Sequence, residues 1–130
     1  MPVSILIVDN DELTRDILFR IVGFSLPDAV IHVTAKFELA CAICVKFKVN
    51  IVVTTTSIPP TSSDLMIDAV HKIGPDPIKI IIMTGESQQI KLDKIISIPN
   101  TYIVQKPINV EELLSLIKDK IAELNELERH

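Results

Sequence analysis

Apolar residues in this chain fall into two arrangements. Four short runs rich in β-branched side chains, VSILIV (3–8), AVIHV (29–33), NIVVT (50–54) and IKIIIM (78–83), are followed by a fifth, TYIV (101–104). Runs of that length, bounded by polar residues, predict buried strands. Between and after them, the segments 11–24, 36–47, 62–73, 86–98 and 109–127 suit helices. The last is the clearest: Asn109 and Glu112 have the spacing of a capping box, and Val110, Leu114, Ile117, Ile121 and Leu124 form one stripe. Strands that are apolar throughout and alternate with helices predict an α/β fold, a parallel sheet covered on both faces with right-handed crossovers. In such a sheet ligands bind beyond the carboxyl ends of the strands, so the residues just after each strand matter most.

Composition narrows the function classes. At 130 residues the chain is expected to be one domain, 1–130, able to bury roughly two-thirds of its unfolded surface without a metal or disulfide staple. The hydrophobic share of 48% is carried by Ile, Val and Leu, with one Tyr, four Phe and no Trp, which agrees with a sheet-centred core. A net charge of -4 with scattered Lys and Arg gives no footprint for direct nucleic-acid contact. The start lacks a basic leader and no run approaches the roughly 18 apolar residues of a membrane span, so the expectation is a cytoplasmic protein with no membrane partner. Cys41 and Cys44 have redox-pair spacing but fall in the middle of a predicted helix, where they read as two small core residues. His32, His71 and His130 are too scattered for a zinc site.

The strand ends carry the chemistry. After the first comes Asp9-Asn10-Asp11-Glu12, after the third Thr54-Thr55-Thr56, after the fourth Thr84-Gly85, and after the fifth Lys106-Pro107. Taken singly, Asp11 is a helix N-cap, Thr84 a turn residue and Lys106 a solvated charge. Together on one edge they describe a phosphoryl pocket: crowded carboxylates favour a divalent cation, while a hydroxyl and an ammonium hold a phosphoryl oxygen.

On ILIVDNDE, IVVTTTSIPP, IIIMTGES and YIVQKPI, in that order, the sequence resembles the receiver domain of two-component response regulators over nearly its whole length. The resemblance implies a three-layer, doubly wound flavodoxin-like fold with a five-stranded parallel sheet in the order 2-1-3-4-5. It also implies a metal and an acyl phosphate on the edge just described. Asp9 and Asn10 then occupy the acidic pair, Thr84 the responding hydroxyl, Lys106 the phosphate partner and Pro107 a cis proline.

The sequence departs from that pattern in three places. Counting back from Pro59, the family's proline, puts Thr55 where receivers carry the acceptor aspartate, and no Asp or Glu occurs between Leu39 and Ser63 to restore it. Asn10 replaces the second carboxylate, and Ile103 stands at the usual aromatic switch, with Tyr102 adjacent. An alcohol needs a general base to attack phosphorus, and no His or Glu is placed to serve Thr55. Thr55 is instead expected to hydrogen-bond to Asp9 or Lys106. No cofactor is expected beyond weak Mg²⁺ held by Asp9 and Asp11.

These features predict a pseudo-receiver without enzymatic activity that acts through protein contacts, with a histidine kinase, an output protein or a second copy as partner. The resemblance nominates the face formed by the fourth predicted helix, the fifth strand and the last helix as the working surface, and Leu113, Leu116 and Leu127 add apolar side chains to that helix. Two rivals keep a place. Asp9 and Asp11 in ILIVDNDELT match the Asp-x-Asp of haloacid-dehalogenase-type phosphohydrolases, although no later strand supplies that family's acidic pair. A flavin carrier shares the topology, but an acidic first loop repels its phosphate.

Overall fold

The computed structural model describes residues 2–55, 78–85 and 99–129. Five strands, β1 (Ser4–Val8), β2 (Val30–Thr34), β3 (Ile51–Thr55), β4 (Lys79–Thr84) and β5 (Thr101–Gln105), form one sheet in the order β2-β1-β3-β4-β5. Every neighbouring pair is parallel. The described helices are α1 (Glu12–Ser25), α2 (Phe37–Phe47) and α3 (Val110–Arg129). The predicted helices at 62–73 and 86–98 lie outside the described residues.

The two-residue period of a strand sends alternate side chains to opposite faces. Leu6, Val8, Val52, Ile80 and Ile82 join Ala40 and Cys44 of α2 in one cluster. Ile5, Ile7, Val53, Ile81 and Met83 join Leu18 and Val22 of α1 and Leu113, Ile117 and Leu124 of α3 in another. The sheet is thus the middle of three layers. Filling both faces explains why β1, β3 and β4 are apolar nearly throughout, and each buried Ile or Leu contributes about 1.5–3 kcal/mol.

The helix ends obey local rules. Asp11 caps α1, its carboxylate accepting from the Thr14 N–H at 3.2 Å, and Asn109 Oδ1 accepts from the Glu112 N–H at 3.1 Å to start α3. α2 closes on Lys48, which adopts the left-handed conformation at φ 50°. Cys44 is buried in α2, and burial, followed by the neighbouring Cys41, pushes its thiol up to about 12. That is the state of a packing residue, not of a redox thiolate.

The rotation of α3 differs from the expected one. Its buried line is Leu113, Ile117, Lys120 and Leu124, with Leu114, Leu116 and Ile121 half-buried beside it. Leu113 therefore belongs to the core and not to an outer surface, because the helix turns toward the sheet whichever side packs best against its apolar face. Leu116 also packs partly against that core, and the Leu127 side chain lies outside what is described. Among the described residues the exposed large apolar side chains lie on α1, β2 and α2 instead.

Candidate functional site

The carboxyl ends of the strands meet along one edge, where Val8 pairs with Thr54, Thr55 with Met83, and Thr84 with Gln105. The next residue after Val8 is Asp9, so Asp9 and Thr55 stand side by side across the β1–β3 boundary. Thr55 is 1% exposed and Asp9 2% exposed.

Lys106 reaches back over this edge. Its Nζ donates to Thr55 Oγ1 at 3.2 Å, a contact between residues 51 apart in sequence. Its backbone N–H donates to the Thr84 carbonyl at 2.7 Å, and the Lys106–Pro107 peptide is cis. Thr84 is buried at the end of β4. The four positions read from sequence, Asp9, Thr55, Thr84 and Lys106, are thus assembled on one edge, with the lysine held by a neutral hydroxyl.

Asp9 is fixed from several sides. Its Oδ1 accepts from the Asp11 N–H at 2.9 Å and its carbonyl accepts from Arg15 Nη1 at 2.8 Å. Its N–H donates to the Thr34 carbonyl at 3.1 Å. Asp9 Oδ2 is buried without a hydrogen-bond partner, leaving one unsatisfied acceptor in the pocket. The Asp11 carboxylate adds no second acceptor beside it. Its Oδ2 is taken by the hydroxyl and then the N–H of Thr14, bonds that hold its carboxyl below the usual carboxylate range. Asn10 is exposed and neutral.

This donor set is a poor match for the divalent cation that the resemblance implies. One carboxylate faces the edge, Asp11 is turned to cap α1, and an ammonium occupies Thr55. Mg²⁺ is held by one or two carboxylates together with phosphate oxygens and water, in near-octahedral geometry. Among the described residues no group of three or more His, Cys, Asp and Glu side chains could hold a metal.

Ile103 and Tyr102 face opposite ways. Ile103 packs toward the α2 side and Tyr102 toward α3. The Tyr102 ring carries the Lys120 ammonium 3.9 Å from its centroid. Tyr102 is therefore engaged under α3 and does not replace the side chain at position 103.

A second charged cluster, missed from sequence, lies at the opposite edge. Lys79 and Lys120 are both buried, and both bond Glu123: Lys79 Nζ to Oε2 at 3.0 Å and Lys120 Nζ to Oε1 at 3.0 Å. Lys79 also donates to Asn100 Oδ1 at 3.3 Å. Hydrogen bonds from Lys120, then Lys79, hold the Glu123 carboxyl below the usual range. Burial alone would lower Lys120, but the Glu123 hydrogen bond and Tyr102 outweigh it and keep its ammonium above the ordinary lysine value. The available signal was a lysine inside each of two apolar patterns, at 79 in IKIIIM and at 120 between Ile117 and Leu124.

Comparison with known proteins agrees with this architecture. Among curated proteins, none matches the sequence. The fold matches a CheY-like response regulator receiver domain protein from Methanospirillum hungatei JF-1 with a TM-score of 0.86 and 23% identity, covering 97% of this chain and 98% of that one. It matches a two component transcriptional regulator AraC from Clostridium phytofermentans ISDg with a TM-score of 0.83 and 25% identity, covering 98% of each chain. A signal receiver domain of an HD domain-containing protein from Pseudomonas fluorescens Pf-5 gives a TM-score of 0.84 at 20% identity, with 97% and 99% covered. The family model described as the response regulator receiver domain matches residues 5–118. With that match and this edge, the chain belongs to the response-regulator receiver family.

Proposed function

We infer that this chain is a signalling module, not an enzyme, whose pocket is held in one state and which works by contact with other proteins. The observation that carries the reading is the Lys106–Thr55 hydrogen bond. It joins the family's phosphate-partner position to a hydroxyl at the position of the acceptor aspartate. Thr55 is a buried, neutral alcohol whose oxygen already accepts from Lys106, so it is a far weaker nucleophile toward phosphorus at neutral pH than the ionised aspartate of a competent receiver. Lys106 already has an acceptor, and the bond keeps the ends of β3 and β5 together without a phosphoryl group.

The reading takes residues 1–130 as one receiver-type domain and expects at most weak Mg²⁺ binding at Asp9. Its partners are of the two-component kind, a histidine kinase or an output protein. Two cysteines kept as free thiols suit a reducing compartment such as the cytoplasm.

The test is phosphoryl transfer from acetyl phosphate with Mg²⁺, read by intact mass. Wild type is expected to gain nothing. Thr55→Asp is expected to gain one phosphoryl group, since Thr84 and Lys106 remain. A stoichiometric gain in wild type that disappears in Asp9→Ala would overturn this reading and favour the phosphohydrolase chemistry.

A further inference from the structure

The outer side of α1 is apolar where solvent should favour polar residues. Phe24 is 91% exposed, Leu13 67% and Ile17 45%. With 100° between residues, positions 13, 17, 20 and 24 fall within a sector of about 60°. They form a single stripe, with exposed Arg20 as its one polar member. The core side of the helix lies elsewhere, on Leu18 and Val22. A stripe of this kind on a helix that already has its own core contact marks an interaction surface.

Its charges indicate what covers it. Glu12 and Asp16 lie in the first half of α1, Arg20 in the second half, and all three are exposed. Arg15, the other base of the helix, is turned inward to the Asp9 carbonyl. The stripe is therefore complementary to itself when reversed about a point midway between Ile17 and Arg20. In that arrangement Leu13 of one copy meets Phe24 of the other at both ends. Arg20 of each copy crosses Ile17 of the other and lies beside its Asp16. The antiparallel dipoles add to the attraction. A contact in which the same patch serves both copies closes on itself as a two-fold dimer.

We propose that a second copy of this chain docks here, α1 against α1, through Leu13, Ile17, Arg20 and Phe24. The inference stands on α1 alone and is independent of the state of the Thr55 pocket. Sedimentation equilibrium over a rising concentration series tests it, and wild type should approach twice the chain mass. Leu13→Glu with Phe24→Glu should remain at one chain mass with an unchanged circular-dichroism spectrum. If that pair disturbs folding, Phe24→Ser at the same concentrations should show the same loss. The charges give the sharper arm. Asp16→Arg and Arg20→Asp should each remain at one chain mass alone, since each then opposes like charges across the axis. Mixed together they should regain twice the chain mass, because the mixed pair opposes Arg to Asp on both sides. Wild type at one chain mass throughout, a dimer indifferent to the Phe24 changes, or a mixture that fails to associate would each overturn the proposal. A different protein bound on this stripe while wild type stays single would do so as well.

Discussion

The two edges of the sheet handle lysine in opposite ways. At the carboxyl edge Lys106 is exposed and bonds a buried neutral hydroxyl, Thr55 Oγ1. At the amino edge Lys79 and Lys120 are buried, and the single carboxylate of Glu123 serves both. A buried ammonium is tolerated only with a paired charge and further hydrogen bonds, and Asn100 and the Tyr102 ring complete that set. An exposed ammonium keeps water as its main partner and needs neither. The amino edge is accordingly a structural fixture that breaks when one member is removed. The carboxyl edge can lose its hydrogen bond and keep its fold.

The largest expected effect is at the amino edge. Glu123→Ala leaves two buried ammonium groups without their counter-charge and should cost about 2 kcal/mol, below the full range for a buried pair because Glu123 is itself 45% exposed. Urea unfolding measures it. Next is Thr55→Asp, which places a second carboxylate beside Asp9 and should tighten Mg²⁺ binding about tenfold or more, a change of about 1.4 kcal/mol followed by titration of backbone amide shifts. Equal affinity in wild type and variant would remove the distinction between this pocket and a competent one. Thr55→Val, nearly isosteric, deletes only the Lys106 bond and should cost about 1 kcal/mol or less by the same unfolding measurement. A cost above that of Glu123→Ala would reverse the comparison.

The smallest effect is on the pH profile. Glu123 has its folded value depressed below 4.5, so its contribution is present above that pH and fades as pH falls through the folded value. Lys120 is raised above 10.5, so its contribution is complete below that pH and is lost as pH rises through the folded value. Unfolding curves of wild type should therefore lose a small increment at both extremes. Glu123→Ala should flatten both limbs, whereas Thr55→Val should leave them unchanged.

The strands were legible because a two-sided parallel sheet demands uninterrupted β-branched runs, whereas their order followed from the resemblance to receivers and not from the runs. The edge residues Asp9, Thr55, Thr84 and Lys106 were legible as strand-end residues, since parallel strands put all their carboxyl ends on one edge. Side-chain direction was harder. ELLSLI offers two neighbouring leucines 100° apart, and only packing against the sheet decides that Leu113 is fully buried while Leu114 stays half-buried beside it. Asp11 could serve a cation or the α1 N-terminus, and the proximity of the Thr14 N–H decided it. Lys79 and Lys120 looked like interruptions of apolar patterns because their shared carboxylate, Glu123, lies 44 residues beyond the first of them. The apolar stripe of α1 could not be told from its core side in sequence, because ELTRDILFRIVGFS carries apolar residues around more than half of its circumference.

Asn50, just before β3, joins strands through its side chain as well as its backbone. Its N–H donates to the Ser4 carbonyl at 2.8 Å, its Oδ1 accepts from the Ser4 N–H at 2.9 Å, and its own carbonyl accepts from the Lys79 N–H at 2.9 Å. One side chain and its peptide thus tie together the first residues of β1 and β4, with β3 beginning at the next position. In kinetic terms this is a meeting point of high sequence separation, where closing two long loops costs entropy before any hydrophobic layer compensates. Once that knot has formed, the three central strands can zip toward the carboxyl edge already aligned. Asn50 thereby couples the timing of collapse to the correctness of alignment, and a chain lacking its side chain would more often collapse with the central strands out of step.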